Sequence, residues 1–119
     1  GSWKYLEEDV RTLAEKTQQS VYVLTGPLYE RDMPALPGAD EPHRVPSGYW
    51  KVVAMKHKGS VSLASFIFDQ KTPRKTDYCS LSVSLSDVES RAKLDLFPSL
   101  THNYRLDDGL LKSTLCSIR

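Results

Sequence analysis

Tyr49-Trp-Lys-Val-Val-Ala-Met55, His57-Lys-Gly59 and Ser60-Val-Ser-Leu-Ala-Ser-Phe-Ile-Phe68 follow one another along the chain, and the fold is read outward from them. The two longer runs are rich in β-branched and aromatic residues, which suit a pleated and buried surface, and the short turn between them carries a Gly. The pattern predicts two strands folded back on each other as an antiparallel hairpin. Upstream, Val21-Tyr-Val-Leu-Thr25 has the same character and is followed by Gly26-Pro27, so a buried strand closed by a turn is expected there. Downstream, Asp77-Tyr-Cys-Ser-Leu-Ser-Val83 is expected to add a third strand after the hairpin.

Helices flank these strands. Trp3, Leu6, Val10 and Leu13 recur at the spacing of one helical stripe, which predicts a helix from Trp3 to Lys16, with acidic early turns and Lys16 near its end to suit the helix dipole. Glu7 and Arg11 stand four apart and therefore share a surface of that helix, off the apolar stripe. Ser86-Asp-Val-Glu89 matches a capping box at the start of a short helix reaching about Lys93, and a further helical piece is expected from about Asp107 to Leu115. From Pro27 to Gly48 the chain carries five Pro with mixed charge and fits no regular period. A loop of that length inside a compact domain covers something or is packed down by its own side chains. The fold class expected is α+β, a mainly antiparallel sheet with flanking helices and one long irregular loop.

The chain has 119 residues, 39% apolar and 26% charged, which is the size and composition of one globular domain, 1–119, and excludes a multidomain enzyme. Its first two residues, Gly1-Ser2, read as an expression scar. No apolar run approaches the roughly 20 residues needed to span a bilayer. The first twenty residues mix Trp3, Tyr5 and Leu6 with charges and do not form a signal peptide. No internal repeat is evident.

Sixteen Lys plus Arg against fifteen Asp plus Glu leave a net charge of +1. The distribution is uneven: Lys51, Lys56, Lys58, Lys71, Arg74 and Lys75 face Asp69 alone between positions 51 and 75. Two readings stand, a basic region for a polyanion or the solvated face of two strands and their turn, the second being the commoner arrangement. Cys79 and Cys116 are too few for a disulfide scaffold and have no metal-ligand spacing. They are free or bridged. A bridge would close a loop of about 38 residues and stabilise by roughly 4 kcal/mol in the chain-entropy model.

Residues with catalytic chemistry are scattered. His43, His57 and His102 lie far apart, and no H-E-x-x-H, P-loop, G-x-S-x-G or dinucleotide fingerprint occurs. The Glu7/Arg11 pair is the one suggestive constellation, and by itself an acid and a base at that spacing are usually a surface helix pair worth a few tenths of a kcal/mol. From the residues alone the reading stops at an α+β domain of undetermined activity.

The wording of the chain goes further. Val21-Tyr-Val-Leu-Thr-Gly-Pro-Leu-Tyr-Glu-Arg-Asp-Met33 and Val45-Pro-Ser-Gly-Tyr-Trp-Lys-Val52 resemble the DNA/RNA non-specific endonucleases of the Serratia nuclease type. Trp3-x-x-Leu6-Glu7-x-x-x-Arg11, Phe66-Ile-Phe-Asp-Gln70 and Lys71-x-Pro73 leading to Asp77-Tyr-Cys79 agree with it, in order, from Trp3 to about Phe97, and again at Cys116. The resemblance implies part of a ββα-metal nuclease fold that cleaves DNA and RNA with Mg2+. In that family the His of an Asp-Arg-Gly-His motif acts as general base and an Asn holds the ion. Here that motif does not occur, and the one Asn, Asn103, stands in another segment.

The resemblance therefore implies a C-terminal part that starts after the catalytic half and is inactive alone, the direct Mg2+ ligand lying elsewhere. Two site residues carry over as catalytic. Glu7 is placed at the metal's water shell, where a carboxylate orients metal-bound water. Arg11 is placed at the scissile phosphate, which a guanidinium meets as a fork. Cys79 and Cys116 match the family's bridged pair, which implies a secreted or periplasmic enzyme. Partners implied are DNA, RNA and the N-terminal half of the nuclease, on the same source protein or a separate chain, with homodimerisation left open and no membrane. The alternative is a non-catalytic module derived from the nuclease fold, binding nucleic acid or protein, whose duplex binding would survive Arg11→Ala.

Overall fold

The computed structural model describes residues 2–17, 20–30, 45–57, 60–72, 76–94, 96, 105–108 and 110–117. Along the chain run α1 (Ser2–Thr17), β1 (Val21–Leu28), β2 (Gly48–His57), β3 (Ser60–Asp69), a 3-10 turn (Tyr78–Leu81), β4 (Ser82–Val83), α2 (Leu85–Ala92), β5 (Arg105–Asp108) and α3 (Leu110–Cys116). The fold is α+β: the strands stand in the order β1-β2-β3-β4, each pair antiparallel, and helices flank the sheet. The short β5 lies parallel to β3 at Ser60–Leu63, beyond the stretch of β3 that β4 meets at Ser65 and Phe66.

The expected hairpin is the centre of the molecule, with β2 and β3 paired from Gly48↔Asp69 to His57↔Ser60. Because side chains alternate between faces, a strand covered on both sides reads as a nearly unbroken apolar run. On one face Val53, Ala64, Phe66 and Phe68 pack with Leu6 and Leu13 of α1 and with Leu111 and Leu115 of α3. On the other, Trp50, Val52, Ala54, Val61 and Leu63 pack with Leu28 and with Leu85 and Val88 of α2. The full burial of Leu6 and Leu13 is worth about 1.5–3 kcal/mol each and fixes which side of α1 turns inward.

Five local expectations are corrected. β1 is an edge strand, not a buried one: Tyr22 and Val23 are exposed, and the strand continues through Gly26-Pro27 to Leu28. Pro is tolerated at such an edge, where a missing N–H need not break a ladder on both sides. The third strand shrinks to Ser82–Val83, because Asp77 turns the preceding residues into a 3-10 helix by accepting from the Cys79 N–H at 3.0 Å. α2 is capped by Ser84, whose hydroxyl accepts from the Asp87 N–H at 3.0 Å, so Ser86 sits inside the helix and Glu89 instead accepts from the Leu96 N–H. Asp107 belongs to β5, and the last helix starts at Leu110. In α1 the acids Glu7, Glu8 and Asp9 fall in the second turn, and the first has none.

The long loop keeps its ends described while 31–44 lie outside the described residues. Those ends are pinned together by Ser47, which is buried: its N–H and hydroxyl both donate to Leu28 O, its hydroxyl accepts from Glu30 N–H at 2.9 Å, and its carbonyl accepts from Gln70 N–H. Glu30 also receives a two-pronged contact from Arg91 of α2, at 2.9 Å from Nε and 2.6 Å from the second nitrogen, which raises the Arg91 pKa. Gly48 is required beside it, since a Cβ there would lie 2.5 Å from Phe68 O.

Candidate active site

The site is built on α1 and the strand beneath it. With Leu6 and Leu13 turned into the core, Glu7 and Arg11 are carried onto the outer side of the helix, where Arg11 is exposed and the Glu7 side chain keeps 51% of its accessible surface. The two do not bond each other. Instead Glu7 Oε1 accepts from Lys51 Nζ at 3.2 Å. Lys51 comes from the middle of β2, and its side chain is only 4% accessible. Its register partners on the same face, Thr25 of β1 and Phe66 of β3, carry no charge, and the helix supplies it with an anion in Glu7. Burial pulls the Lys51 pKa below its usual value, and the Glu7 carboxylate pushes back.

A second set of contacts fixes α1 from within. Asp9, one turn beyond Leu6 on the inner side, is buried and accepts from the Tyr78 hydroxyl at 2.6 Å; that hydroxyl also lies 3.2 Å from the carbonyl of Leu115. Tyr78 meets Phe66 edge to face at 5.5 Å. Next to these residues Cys79 and Cys116 form a disulfide, with Cα atoms 6.0 Å apart, which ties the 3-10 turn to α3. Helix α1 is thus held at Glu7 by the sheet and at Asp9 by the bridged C-terminal elements.

Of the residues singled out in the sequence, the structure leaves Glu7 and Arg11 together on one outer surface and joins Cys79 to Cys116. It divides the basic segment. Lys51 is turned inward on the α1 side, Lys56 is exposed and pairs in register with Val61 on the opposite face, and Lys71 is exposed beyond β3. Lys58, Arg74, Lys75, His43, His102 and Asn103 lie outside the described residues. Sequence reading counted Lys51 only as part of a basic region and passed over Asp9. The signals were present but weak: a Lys inside an apolar strand run, and an Asp three places after Leu6 and one before Val10.

No group of three or more His, Cys, Asp or Glu side chains able to hold a metal ion occurs among the described residues. At the outer surface of α1 the carboxylate of Glu7 already meets an ammonium. One such carboxylate does not make an inner coordination set for a divalent ion. What the surface can do is present a guanidinium and an oriented carboxylate side by side, a charge pattern suited to a phosphate and a water molecule.

The nuclease of Serratia marcescens is 42% identical over 102 residues, which take up 84% of this chain and 38% of that relative. The chain therefore spans well under half the length of the relative. Residues 1–103, which include α1 and its outer face, the β2–β3 hairpin and α2, match the family of DNA/RNA non-specific endonucleases. With the match extending over most of its length and the identity this high, the chain belongs to the DNA/RNA non-specific endonuclease family.

Proposed function

We propose that the chain is the C-terminal part of a sugar-non-specific endonuclease that hydrolyses phosphodiester bonds in DNA and RNA with Mg2+. The observation that carries this reading is the outer face of α1, where Arg11 is exposed and Glu7 is anchored beside it by Lys51. Arg11 grips the oxygens of the scissile phosphate and offsets the charge that grows there in the transition state. Glu7 accepts hydrogen bonds from water at the phosphate and so orients it. Mg2+, when bound, supplies a Lewis acid for the phosphate and its leaving oxygen, and its direct protein ligand belongs to the rest of the nuclease. The general-base His belongs there too, because no Asp-Arg-Gly-His stands in this sequence. The Cys79–Cys116 bridge supports an oxidising, extracytoplasmic location.

The test uses supercoiled DNA and RNA as substrates. The 119-residue chain alone should cut neither, and addition of the N-terminal half of the nuclease should restore cleavage that a chelator abolishes. In the completed enzyme Glu7→Ala and Arg11→Ala should each lower turnover by about 10²-fold or more, as when one oriented charge-stabilising group is lost. Vigorous cleavage by the chain alone, or near-normal rates in both variants, would overturn the reading. Salt-dependent duplex binding that survives Arg11→Ala, with no cleavage from the completed assembly, would favour the non-catalytic module.

A further inference from the structure

A glutamate four residues before an arginine on an exposed helix ordinarily pairs with it, and that pairing would blunt the arginine toward any other anion. In α1 this does not happen. Glu7 is drawn to Lys51 at 3.2 Å, and Arg11 remains exposed, with no ion pair to Glu7. The cation responsible is unusual. Lys51 lies on β2, between β1 and β3, with its side chain 4% accessible. A lysine in that place has given up much of its hydration and is retained only with a counter-charge in contact. Its strand neighbours on that face, Thr25 and Phe66, carry no charge, and Tyr49 and Val53 follow two residues to either side along β2. A buried ammonium on the sheet therefore competes with the exposed guanidinium of Arg11 for the same carboxylate, and it competes from a strand paired on both sides.

We propose that Lys51 is a positioning residue: by holding the Glu7 carboxylate at the sheet it keeps Glu7 from neutralising Arg11, so that the guanidinium stays available to a phosphate. This deepens the phosphate role given to Arg11 above and rests on it. It also accounts for the paradox of a charged residue inside the apolar run Trp50-Lys-Val-Val53.

The experiment follows the Arg11 Nε–H signal by NMR in the 15N-labelled chain, assigned by its loss in Arg11→Lys, with inorganic phosphate as the added anion. In the wild-type chain the signal should exchange rapidly with water and move on phosphate addition. In Lys51→Met, which keeps the aliphatic length and removes the charge, Glu7 turns to Arg11: exchange slows, and the apparent phosphate affinity falls about two- to fivefold, the range of an exposed helix pair. Lys51→Met/Glu7→Gln should restore the wild-type response, and Lys51→Arg should never lose it. A merely structural lysine would not give rescue by Glu7→Gln. An Arg11 signal and phosphate response unchanged in Lys51→Met, or unrestored in the double variant, would overturn the proposal. Should Lys51→Met fail to fold, Lys51→Gln, which keeps a donor without the charge, is read in its place against the same two outcomes. The readout is independent of cleavage: a normal rate in the Arg11→Ala enzyme would remove the catalytic role of Arg11 and leave the pairing result to stand on its own.

Discussion

Gly26 stands opposite Trp50 in the β1–β2 register, and the indole lies across it so closely that a Cβ would come within 2.6 Å of the ring. The two motif fragments Thr-Gly-Pro-Leu and Ser-Gly-Tyr-Trp are therefore halves of one contact, an aromatic ring covering a glycine on an edge strand. Trp50 is itself buried against α2 and Leu28, so it has little room to withdraw. Gly26→Ala should destabilise the chain by about 1–3 kcal/mol through overpacking, read as a lower urea midpoint with an unchanged slope. An unaltered midpoint would mean that the ring can swing aside. At this scale the sequence shows which residues are unusual but not how they meet. Glu7 and Arg11 could be placed on one helix surface by counting, and their neighbour Lys51 could not, because it arrives from a strand 44 residues away. A lysine within an apolar run looks the same whether its ammonium reaches solvent at an edge or a carboxylate in the interior.

The elements follow from period and composition where burial is strong, and they go astray where short polar side chains decide. The hairpin and α1 were legible because Val, Phe and Leu in large numbers fix their faces. α2 was legible as a helix but not in its start, since Ser84 and Ser86 offer the same hydroxyl two residues apart. The chain chooses Ser84 because starting there turns both Leu85 and Val88 into the core. Accordingly Ser84→Ala should cost about 1 kcal/mol of stability, while Ser86→Ala, in the helix interior, should stay within about 0.5 kcal/mol of the parent, both measured by thermal unfolding. Equal losses in the two would return the cap to Ser86. The 3-10 turn and β5 were hidden for related reasons. Asp77 and Ser80 bond the local backbone and draw Tyr78–Leu81 away from a strand. The sequence of β5, Arg-Leu-Asp-Asp, has a composition that strands usually avoid, and its place beside β3 comes from tertiary pairing.

For the molecule as a whole, the pose of the helix that bears the candidate site depends on elements far along the chain. The Tyr78 hydroxyl is shared between Asp9 of α1 and the Leu115 carbonyl of α3, and the Cys79–Cys116 bridge lies immediately next to both Tyr78 and Leu115. One small latch therefore joins the first helix, the turn after the hairpin and the last helix. Tyr78→Phe keeps the ring against Phe66 and removes one oxygen atom, leaving the buried Asp9 carboxylate without that donor. Loss of a hydrogen bond to such a group should lower stability by about 2–3 kcal/mol. Asp9→Asn, which still accepts from the hydroxyl, should lose less. Replacing both cysteines by Ser removes the clamp on α3, and because it shares neighbours with Tyr78 the two losses should not add, departing from additivity by more than about 0.5 kcal/mol. A double-mutant cycle by urea unfolding measures this coupling. If the losses summed cleanly, the bridge and the hydroxyl would be independent fastenings; a coupled result would make the bridge, through Tyr78 and Asp9, part of what holds Glu7 and Arg11 in place.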